Sequence, residues 1–176
     1  MVYLDNAATT FKKPKQVYKE VKKCLKKYCG NGGRGGHLLA MSAGEIIYKC
    51  REEICNLFNI ENTMNVSFCL NATQAINMGI KGVLKNGDHV IISGLEHNSV
   101  LRPVVKLEEK EVDYSVIESD KEGNLEPIEN YFKPNTKLIV ISHGSNVLGT
   151  LQPIKDIGQI AKEKGILFMV DASQTA

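Results

Sequence analysis

The chain has 176 residues, of which 43% are hydrophobic and 24% charged, and its formal net charge is +2. This composition excludes a disordered, a collagen-like or a disulfide-stapled protein and supports one domain with a hydrophobic core. The net charge is too small to attract nucleic acid by the overall electrostatic field of the protein, and the apolar runs are too short to cross a membrane. We therefore expect a cytoplasmic protein that binds neither nucleic acid nor membrane.

The first predicted elements are an N-terminal arm over residues 1–12 and a lysine-rich helix. Pro14 favours the start of this helix and Gly30 its end. Residues 12–27 contain eight lysines and one acidic residue. Two interpretations are open, a docking patch for an acidic partner and a solvated helix face. The second is favoured, because no arginine or aromatic pattern accompanies the lysines.

A glycine-rich loop follows over residues 30–37. Gly30, Gly32 and Gly35 satisfy the spacing of a dinucleotide-binding fingerprint. However, the loop follows a helix rather than a strand, and no acidic residue ends a second strand where a ribose would need it. We therefore reject a nicotinamide-dependent oxidoreductase.

A second helix is predicted to begin at a capping box formed by Ser42 and Glu45. The chain has five cysteines, an odd number that favours reduced thiols. Two cysteine pairs repeat one spacing, Cys24 with Cys29 and Cys50 with Cys55. Five positions along a helix turn a side chain about 140° away, so this spacing does not favour a metal site, and we expect none.

From residue 65 onward, short β-branched runs alternate with helical patterns. Such alternation predicts an α/β fold, with a mainly parallel sheet and helices on both faces. The five predicted strands cover residues 66–70, 89–93, 112–117, 138–142 and 166–170. The predicted helices cover residues 73–85, 99–109 and 154–164, with a short one at 127–132.

Polar residues follow four of the five predicted strands. The carboxyl ends of parallel strands lie at one edge of a sheet, where open α/β sheets bind ligands, so we expect these groups to converge. The four segments are Asn71 to Thr73, Glu96 to Asn98, His143 to Asn146 and Asp171 to Gln174.

Each of these groups has a functional and a structural interpretation. The hydroxyl of Thr73 at a helix N-terminus suits a phosphate, although Asn71 or Thr73 as a simple helix cap is the alternative. His97, taken by itself, fits a helix-start residue as well as a catalytic one. Asp171 ends an apolar strand and needs a cationic partner, which no neighbouring arginine or lysine supplies. A protonated ring nitrogen of a ligand would supply it.

Taken together, five segments resemble the successive motifs of cysteine desulfurases and related class V aminotransferases, which are fold-type I enzymes dependent on pyridoxal 5'-phosphate (PLP). The likeness covers essentially the whole chain, and the five motifs occur in the family's order. They are YLDNAATT at 3–10, NATQA at 71–75, EHNSVLRP at 96–103, SHGSNVLG at 142–149 and VDASQT at 170–175.

The resemblance implies a PLP site and a role for each matching residue. Ala72 and Thr73 would hold the phosphate, and His97, the catalytic residue, would stack on the ring and move protons. The remaining contacts to the ring would come from Asn146, Asp171 and Gln174. Of these, Gln174 would bond the phenolic oxygen and Asp171 would keep the ring nitrogen protonated, which makes the ring an electron sink.

The resemblance also implies a function for the parent enzyme and indicates which part of that enzyme this chain represents. The parent enzyme would be a homodimer that takes sulfur from L-cysteine, gives L-alanine and passes the sulfur to an acceptor protein. Residues 13–176 would form a partial PLP-binding large domain. The C-terminal remainder, the small domain, the Schiff-base lysine and the catalytic cysteine would lie beyond them, so the chain by itself is expected to be inactive.

Three alternatives remain open. The same fold serves a class V aminotransferase and a selenocysteine lyase, and the residues that discriminate them lie beyond the matched segments. A non-catalytic PLP-binding or assembly module is the alternative of another class.

The glycine-rich loop contains two further candidate residues. In relatives, Arg34 and His37 would lie near the substrate or the partner subunit, although a flexible surface loop explains these two residues equally.

Overall fold

The computed structural model describes residues 2–176 and forms two compact units, residues 2–68 and Cys69–Ala176. The first unit contains helix α1 (Lys15–Lys27), helix α2 (Leu38–Phe58) and a 3-10 turn at Thr63–Asn65. Met1, the first residue of the predicted arm, lies outside the described residues. The predicted division into an arm and a partial large domain stays a prediction.

Helix α1 confirms the predicted lysine-rich helix, although it ends at Lys27 rather than at Gly30. Within the described residues, α1 buries none of its side chains. Its apolar stripe, which includes Val21 and Leu25, is exposed together with the lysines.

Helix α2 begins earlier than the capping box predicted. Its first residue is Leu38, and the N-cap is His37, whose Nδ1 accepts the backbone N–H of Ala40 at 3.4 Å. The predicted start at Ser42 was therefore wrong, because the imidazole nitrogen provides an acceptor one turn earlier. Glu45 lies inside the helix and pairs with the Lys49 ammonium at 2.8 Å.

The second unit is built on a four-stranded, entirely parallel sheet. Its strands are β1 (His89–Ser93), β2 (Asp113–Ile117), β3 (Thr136–Ser142) and β4 (Leu167–Asp171), in the order β2-β1-β3-β4. Its helices are α3 (Ala72–Val83), α4 (Asn98–Leu107) and α5 (Ile154–Glu163), with 3-10 turns at Glu108–Lys110 and Ile128–Tyr131. The predicted α/β fold is confirmed.

The sheet has four strands rather than five, because the segment 66–70 pairs with no strand within residues 2–176. Its backbone groups find other partners. The N–H of Val66 donates to Thr63 O at 3.2 Å, and the N–H of Leu70 donates to the side-chain oxygen of Gln74 at 2.7 Å. The β-branched pattern predicted an extended segment, but a strand also needs a hydrogen-bonded neighbour.

Helices cover both faces of the sheet, as the alternating pattern predicted. Val90 and Ile92 of β1 pack with α3 and α4 on one face, whereas Ile91 packs with α5 on the other. Successive strand residues point to opposite faces, so the continuous apolar run fills both cores. Burying one such side chain stabilises the fold by roughly 1.5–3 kcal/mol. The sheet is therefore a rigid support for the loops at its ends.

Two kinds of feature are absent from residues 2–176. None of the helices there combines the length and the apolarity that a membrane span requires. No group of three or more histidine, cysteine, aspartate or glutamate side chains is placed to hold a metal ion.

Candidate functional site

The loops that follow β1, β3 and β4 lie side by side at the carboxyl edge of the sheet. Ser142 is opposite Asp171 in the register of β3 and β4, and the N–H of His143 donates to Asp171 O at 2.9 Å. Ile92, next to last in β1, is opposite Val140 of β3. The three strand ends are thus neighbours, which brings the predicted polar segments to one edge.

The N-terminus of α3 presents free donors. Asn71 caps the helix, because its Oδ1 accepts the N–H of Gln74 at 2.9 Å, and the first backbone bond runs from Ala75 N to Asn71 O. Among the described residues, the N–H groups of Ala72 and Thr73 and the Thr73 hydroxyl have no acceptor or donor partner. The predicted cap is therefore Asn71, and it leaves two N–H groups and a hydroxyl exposed, an arrangement that suits an anion.

Thr73 and His97 line the same groove, which lies between α3 and α4 and has a volume of about 430 Å³. Asn77 joins the two helices, since its Nδ2 donates to Thr73 O at 2.9 Å and to Ser99 O at 3.4 Å. The cationic side chains of the groove are Lys81, Arg102 and Lys106. The sign of these charges also favours an anionic ligand.

His97 is the N-cap of α4, as its structural interpretation predicted. Its Nδ1 accepts the backbone N–H of Ser99 at 3.1 Å and lies 2.8 Å from the Ser99 hydroxyl. A backbone N–H can only donate, so Nδ1 carries no hydrogen and the proton of the neutral ring lies on Nε2. The cap therefore occupies one ring nitrogen and leaves the protonated one available to a ligand.

Asp171 ends β4 and is half-buried. Its Oδ1 receives two hydrogen bonds from Ser173, from the backbone N–H at 3.0 Å and from the hydroxyl at 2.5 Å. Among the described residues, Oδ2 has no hydrogen-bond partner, and no lysine, arginine or histidine forms an ion pair with this carboxylate. The expected cationic partner is thus not provided by residues 2–176, and one carboxylate oxygen is open to a ligand.

Asn146 lies at the exposed tip of the loop after β3. Ser145 holds this tip, because its N–H donates to Thr150 O at 3.0 Å while its Oγ accepts the N–H groups of Val147 and Leu148. The loop is closed at its base by a hydrogen bond from Gln152 N to the carbonyl of the first loop residue at 2.8 Å. The tip carrying Asn146 is therefore ordered by backbone hydrogen bonds together with the Ser145 hydroxyl.

Gln174 lies in the loop after β4, which packs closely against the loop of Asn146. A Cβ placed on Gly144 would lie 2.8 Å from the Thr175 methyl carbon and 3.5 Å from the Gln174 Cβ. Any larger residue at this position would force the Thr175 side chain to shift. Asn146 and Gln174 are thus carried by two adjoining loops.

Glu96 is a residue of the site to which the sequence assigned no role, although its segment was predicted to reach this edge. Its carboxylate accepts the Ser93 hydroxyl at 2.5 Å, the Ser142 N–H at 2.9 Å and the Ser142 hydroxyl at 2.7 Å. Burial raises the pKa of the Glu96 carboxyl, the hydrogen bonds from Ser93 and Ser142 oppose this rise, and the nearby charge of Asp171 adds to it. The available signal was an acidic residue that lies three residues after the end of a buried strand and directly before His97.

Arg34 and His37 belong to the first unit. Arg34 is exposed in a turn closed by a hydrogen bond from its N–H to Asn31 O at 3.1 Å, and His37 caps α2. Their contact with a substrate or a partner subunit stays a prediction.

The family model of class V aminotransferases matches residues 2–176. Among curated proteins, a probable cysteine desulfurase of Methanothermobacter thermautotrophicus is 36% identical over 99% of this chain and 44% of its own length. The cysteine desulfurase IscS of Dictyoglomus turgidum is 36% identical over 99% of this chain and 45% of its own length. The chain thus spans less than half the length of these relatives.

Solved structures show the same fold. A structure described as SspA in complex with cysteine has a TM-score of 0.90 at 32% identity and covers 98% of this chain and 51% of its own. The apo cysteine desulfurase of Thermococcus onnurineus NA1 has a TM-score of 0.90 at 30% identity and covers 99% of this chain and 44% of its own.

Proposed function

The chain belongs to the class V aminotransferase family, and from this premise we propose that the whole protein is a PLP-dependent cysteine desulfurase. The names of the similar proteins support this reaction within the family. The part of the function proposed for residues 69–176 is the binding of the cofactor. One observation carries it: unpaired anion donors on α3 and a carboxylate with one open oxygen at the end of β4 occur in the same compact unit.

The donors at the α3 N-terminus fit the phosphate of PLP. The N–H groups of Ala72 and Thr73 point out of the first helical turn, and the Thr73 hydroxyl adds a further donor. The helix dipole favours negative charge at this end. Three cationic side chains line the same groove and raise the local concentration of an anion.

Asp171 fits the protonated ring nitrogen. Its open Oδ2 can accept that N–H, while the two hydrogen bonds from Ser173 to Oδ1 fix the plane of the carboxylate. Bound PLP supplies an electron sink that stabilises negative charge on a substrate carbon. Asp171 contributes by holding a proton on the ring nitrogen, which strengthens that sink. Asn146 and Gln174 would bond the ring substituents from the two adjoining loops.

His97 holds its proton at Nε2 while Nδ1 is occupied by the cap. In this tautomer the neutral ring can donate a hydrogen bond at Nε2 and cannot accept one there. In addition to stacking and to moving protons, we therefore assign His97 the role of a hydrogen-bond donor through Nε2 at the face of the cofactor.

The proposed substrate is L-cysteine, with L-alanine as the product that remains after sulfur is removed. The relative SspA was solved in complex with cysteine, which supports this choice. A homodimer, a sulfur-acceptor protein and a cytoplasmic location stay predictions from the sequence.

The test is an absorbance titration of the chain with PLP and, in parallel, with pyridoxal, which lacks the phosphate. We expect saturable PLP binding, pyridoxal binding weaker by about tenfold or more, and a loss of about tenfold in PLP affinity in Asp171→Asn. Asp156→Asn, at an exposed aspartate of α5, is the matched control and should bind like the unsubstituted chain. Equal affinity for PLP and pyridoxal, with no effect of Asp171→Asn, would contradict the proposal.

A further inference from the structure

Glu96 occupies the turn between β1 and α4 and directly precedes His97. This turn is short, since β1 ends at Ser93 and α4 begins at Asn98. Hydrogen bonds that hold the Glu96 side chain therefore also restrain the short turn whose next residue carries the imidazole.

The Glu96 carboxylate connects this turn to the end of the neighbouring strand. Oε1 accepts from the Ser93 hydroxyl of β1 and from the Ser142 backbone N–H of β3, and Oε2 accepts from the Ser142 hydroxyl. Ser142 lies 46 residues further along the chain and opposite Asp171. One side chain thus links the turn before His97, the end of β3 and the strand position beside Asp171.

A carboxylate at this position is costly. Burial and the neighbouring Asp171 both disfavour its charge, and the groups that face it are the donors of Ser93 and Ser142 and the carboxylate of Asp171. The partly buried charge must be compensated by the hydrogen bonds it receives. The two hydroxyls and one N–H supply that compensation, and in return they fix the carboxylate in a single orientation.

We propose that Glu96 is a positioning residue, which holds the His97 turn against the end of β3 and thereby sets the direction of the His97 ring over the cofactor site. This inference rests on the proposed function for the ligand that His97 meets. It concerns Glu96 acting through His97 and Ser142, without contact to the ligand itself.

The test compares Glu96→Ala with Glu96→Gln in the whole chain. Glutamine can keep all three contacts, because its oxygen accepts from Ser93 and the Ser142 N–H while its amide donates to the Ser142 oxygen. We expect Glu96→Ala to weaken PLP binding by about tenfold and Glu96→Gln to stay within about twofold of the unsubstituted chain. Glu129→Ala, at an exposed glutamate of the Ile128–Tyr131 turn, is the control and should change nothing.

A second readout is the side-chain NMR signal of His97 without any ligand. We expect one narrow set of ring signals in the unsubstituted chain and in Glu96→Gln, and broadened or doubled signals in Glu96→Ala. This readout keeps the inference separate from the proposed function, because it remains decisive even if the chain fails to bind PLP.

Two results would overturn the inference. One is a folded Glu96→Ala chain whose His97 signals match those of the unsubstituted chain. The other is an equal loss of His97 order in Glu96→Gln and Glu96→Ala, which would show that the charge and not the positioning matters. If Glu96→Ala does not fold, Ser142→Ala removes only the hydroxyl contact to Oε2, and it should broaden the same His97 signals to a smaller extent.

Discussion

The Nδ1 atom of His97 accepts the backbone N–H of Ser99 at 3.1 Å, so one imidazole both caps α4 and faces the groove. The two tasks fall on different ring nitrogens. The cap uses Nδ1, and the proton on Nε2 is left for a ligand. Substitutions that keep one task and remove the other can therefore separate helix stability from ligand binding.

The first prediction uses this separation. Asparagine is a good N-cap, so His97→Asn should retain the stability of α4 while it loses the ring and Nε2. His97→Ala loses both and should lower the free energy of unfolding by about 1 kcal/mol. Urea unfolding and PLP titration of both variants check this. Comparable destabilisation by asparagine and alanine would show that the cap is not what His97 contributes to folding.

The second prediction concerns Asn71, which caps α3 beside the proposed phosphate site. Asn71→Asp keeps an acceptor for the N–H of Gln74 and places a negative charge beside the free donors of Ala72 and Thr73. The free energy of unfolding should change by less than about 0.5 kcal/mol, whereas PLP affinity should fall by about tenfold through charge repulsion.

Asn71→Ser is the matched neutral control, because serine also caps the helix. It should leave both the stability and the affinity nearly unchanged. An affinity for PLP that is indifferent to the charge at residue 71 would place the phosphate elsewhere.

The third prediction concerns pH and His89, which is fully buried between the hydroxyls of Thr136 at 2.8 Å and Ser115 at 2.9 Å. Burial lowers the pKa of this histidine below its usual value of 6.5, Lys133 lowers it further, and Asp113 opposes them. The unfolded chain then binds more protons than the folded chain as the pH falls through 6.5. The stability that the neutral ring provides is present above this pH and is lost below it.

We therefore expect the free energy of unfolding to fall between pH 7 and pH 5, by up to about 1.4 kcal/mol for each pH unit from this residue. His89→Gln cannot titrate and should show a shallower dependence over the same interval. Urea unfolding at several pH values measures both slopes. Identical slopes would exclude His89 as the source of the acid sensitivity.

The fourth prediction tests the close approach of the two loops that carry Asn146 and Gln174. Gly144→Ala would place a methyl group 2.8 Å from the Thr175 side chain, and overpacking of this kind costs about 1–3 kcal/mol. The loops should separate, so PLP affinity should fall as well. The measurements are thermal unfolding and PLP titration.

Gly82→Ala provides the control for this substitution. Gly82 lies inside α3, and outside its sequence neighbours and the backbone of its own helix no heavy atom of the described chain lies within 4 Å of a Cβ built there. Alanine should therefore stabilise the helix by roughly 0.5–1 kcal/mol. Equal effects of the two substitutions would argue against tight packing at Gly144.

The sequence predicted the sheet well because its signals are local. The apolar runs around Val90 and Leu138 are long enough to mark buried parallel strands, and the helices between them follow from their periodicity. The segment 66–70 has the same local pattern, but it has no strand partner among the described residues, and strand pairing is not encoded in a single segment.

In the site, too, the features that depend on local sequence were predicted and those that depend on distant residues were not. Asp171 ends β4 and His97 lies in the turn that follows β1, so their placement at one edge followed from topology. Glu96 stands there too, yet its importance depends on Ser142, which is 46 residues away, and on burial that no local pattern reveals. The predicted start of α2 was wrong because the sequence signals for a helix start do not include histidine, and the N-cap of this helix is His37.

The most direct test of the central claim is an NMR titration of the isotope-labelled chain with PLP, because surface lysines also react with this aldehyde and absorbance does not locate the contact. The account predicts saturable shifts that include the amides of Ala72 and Thr73 and the side chain of His97. Shifts confined to the lysine-rich helix α1, with the amides of α3 unchanged, would contradict a PLP site at the carboxyl edge of this sheet.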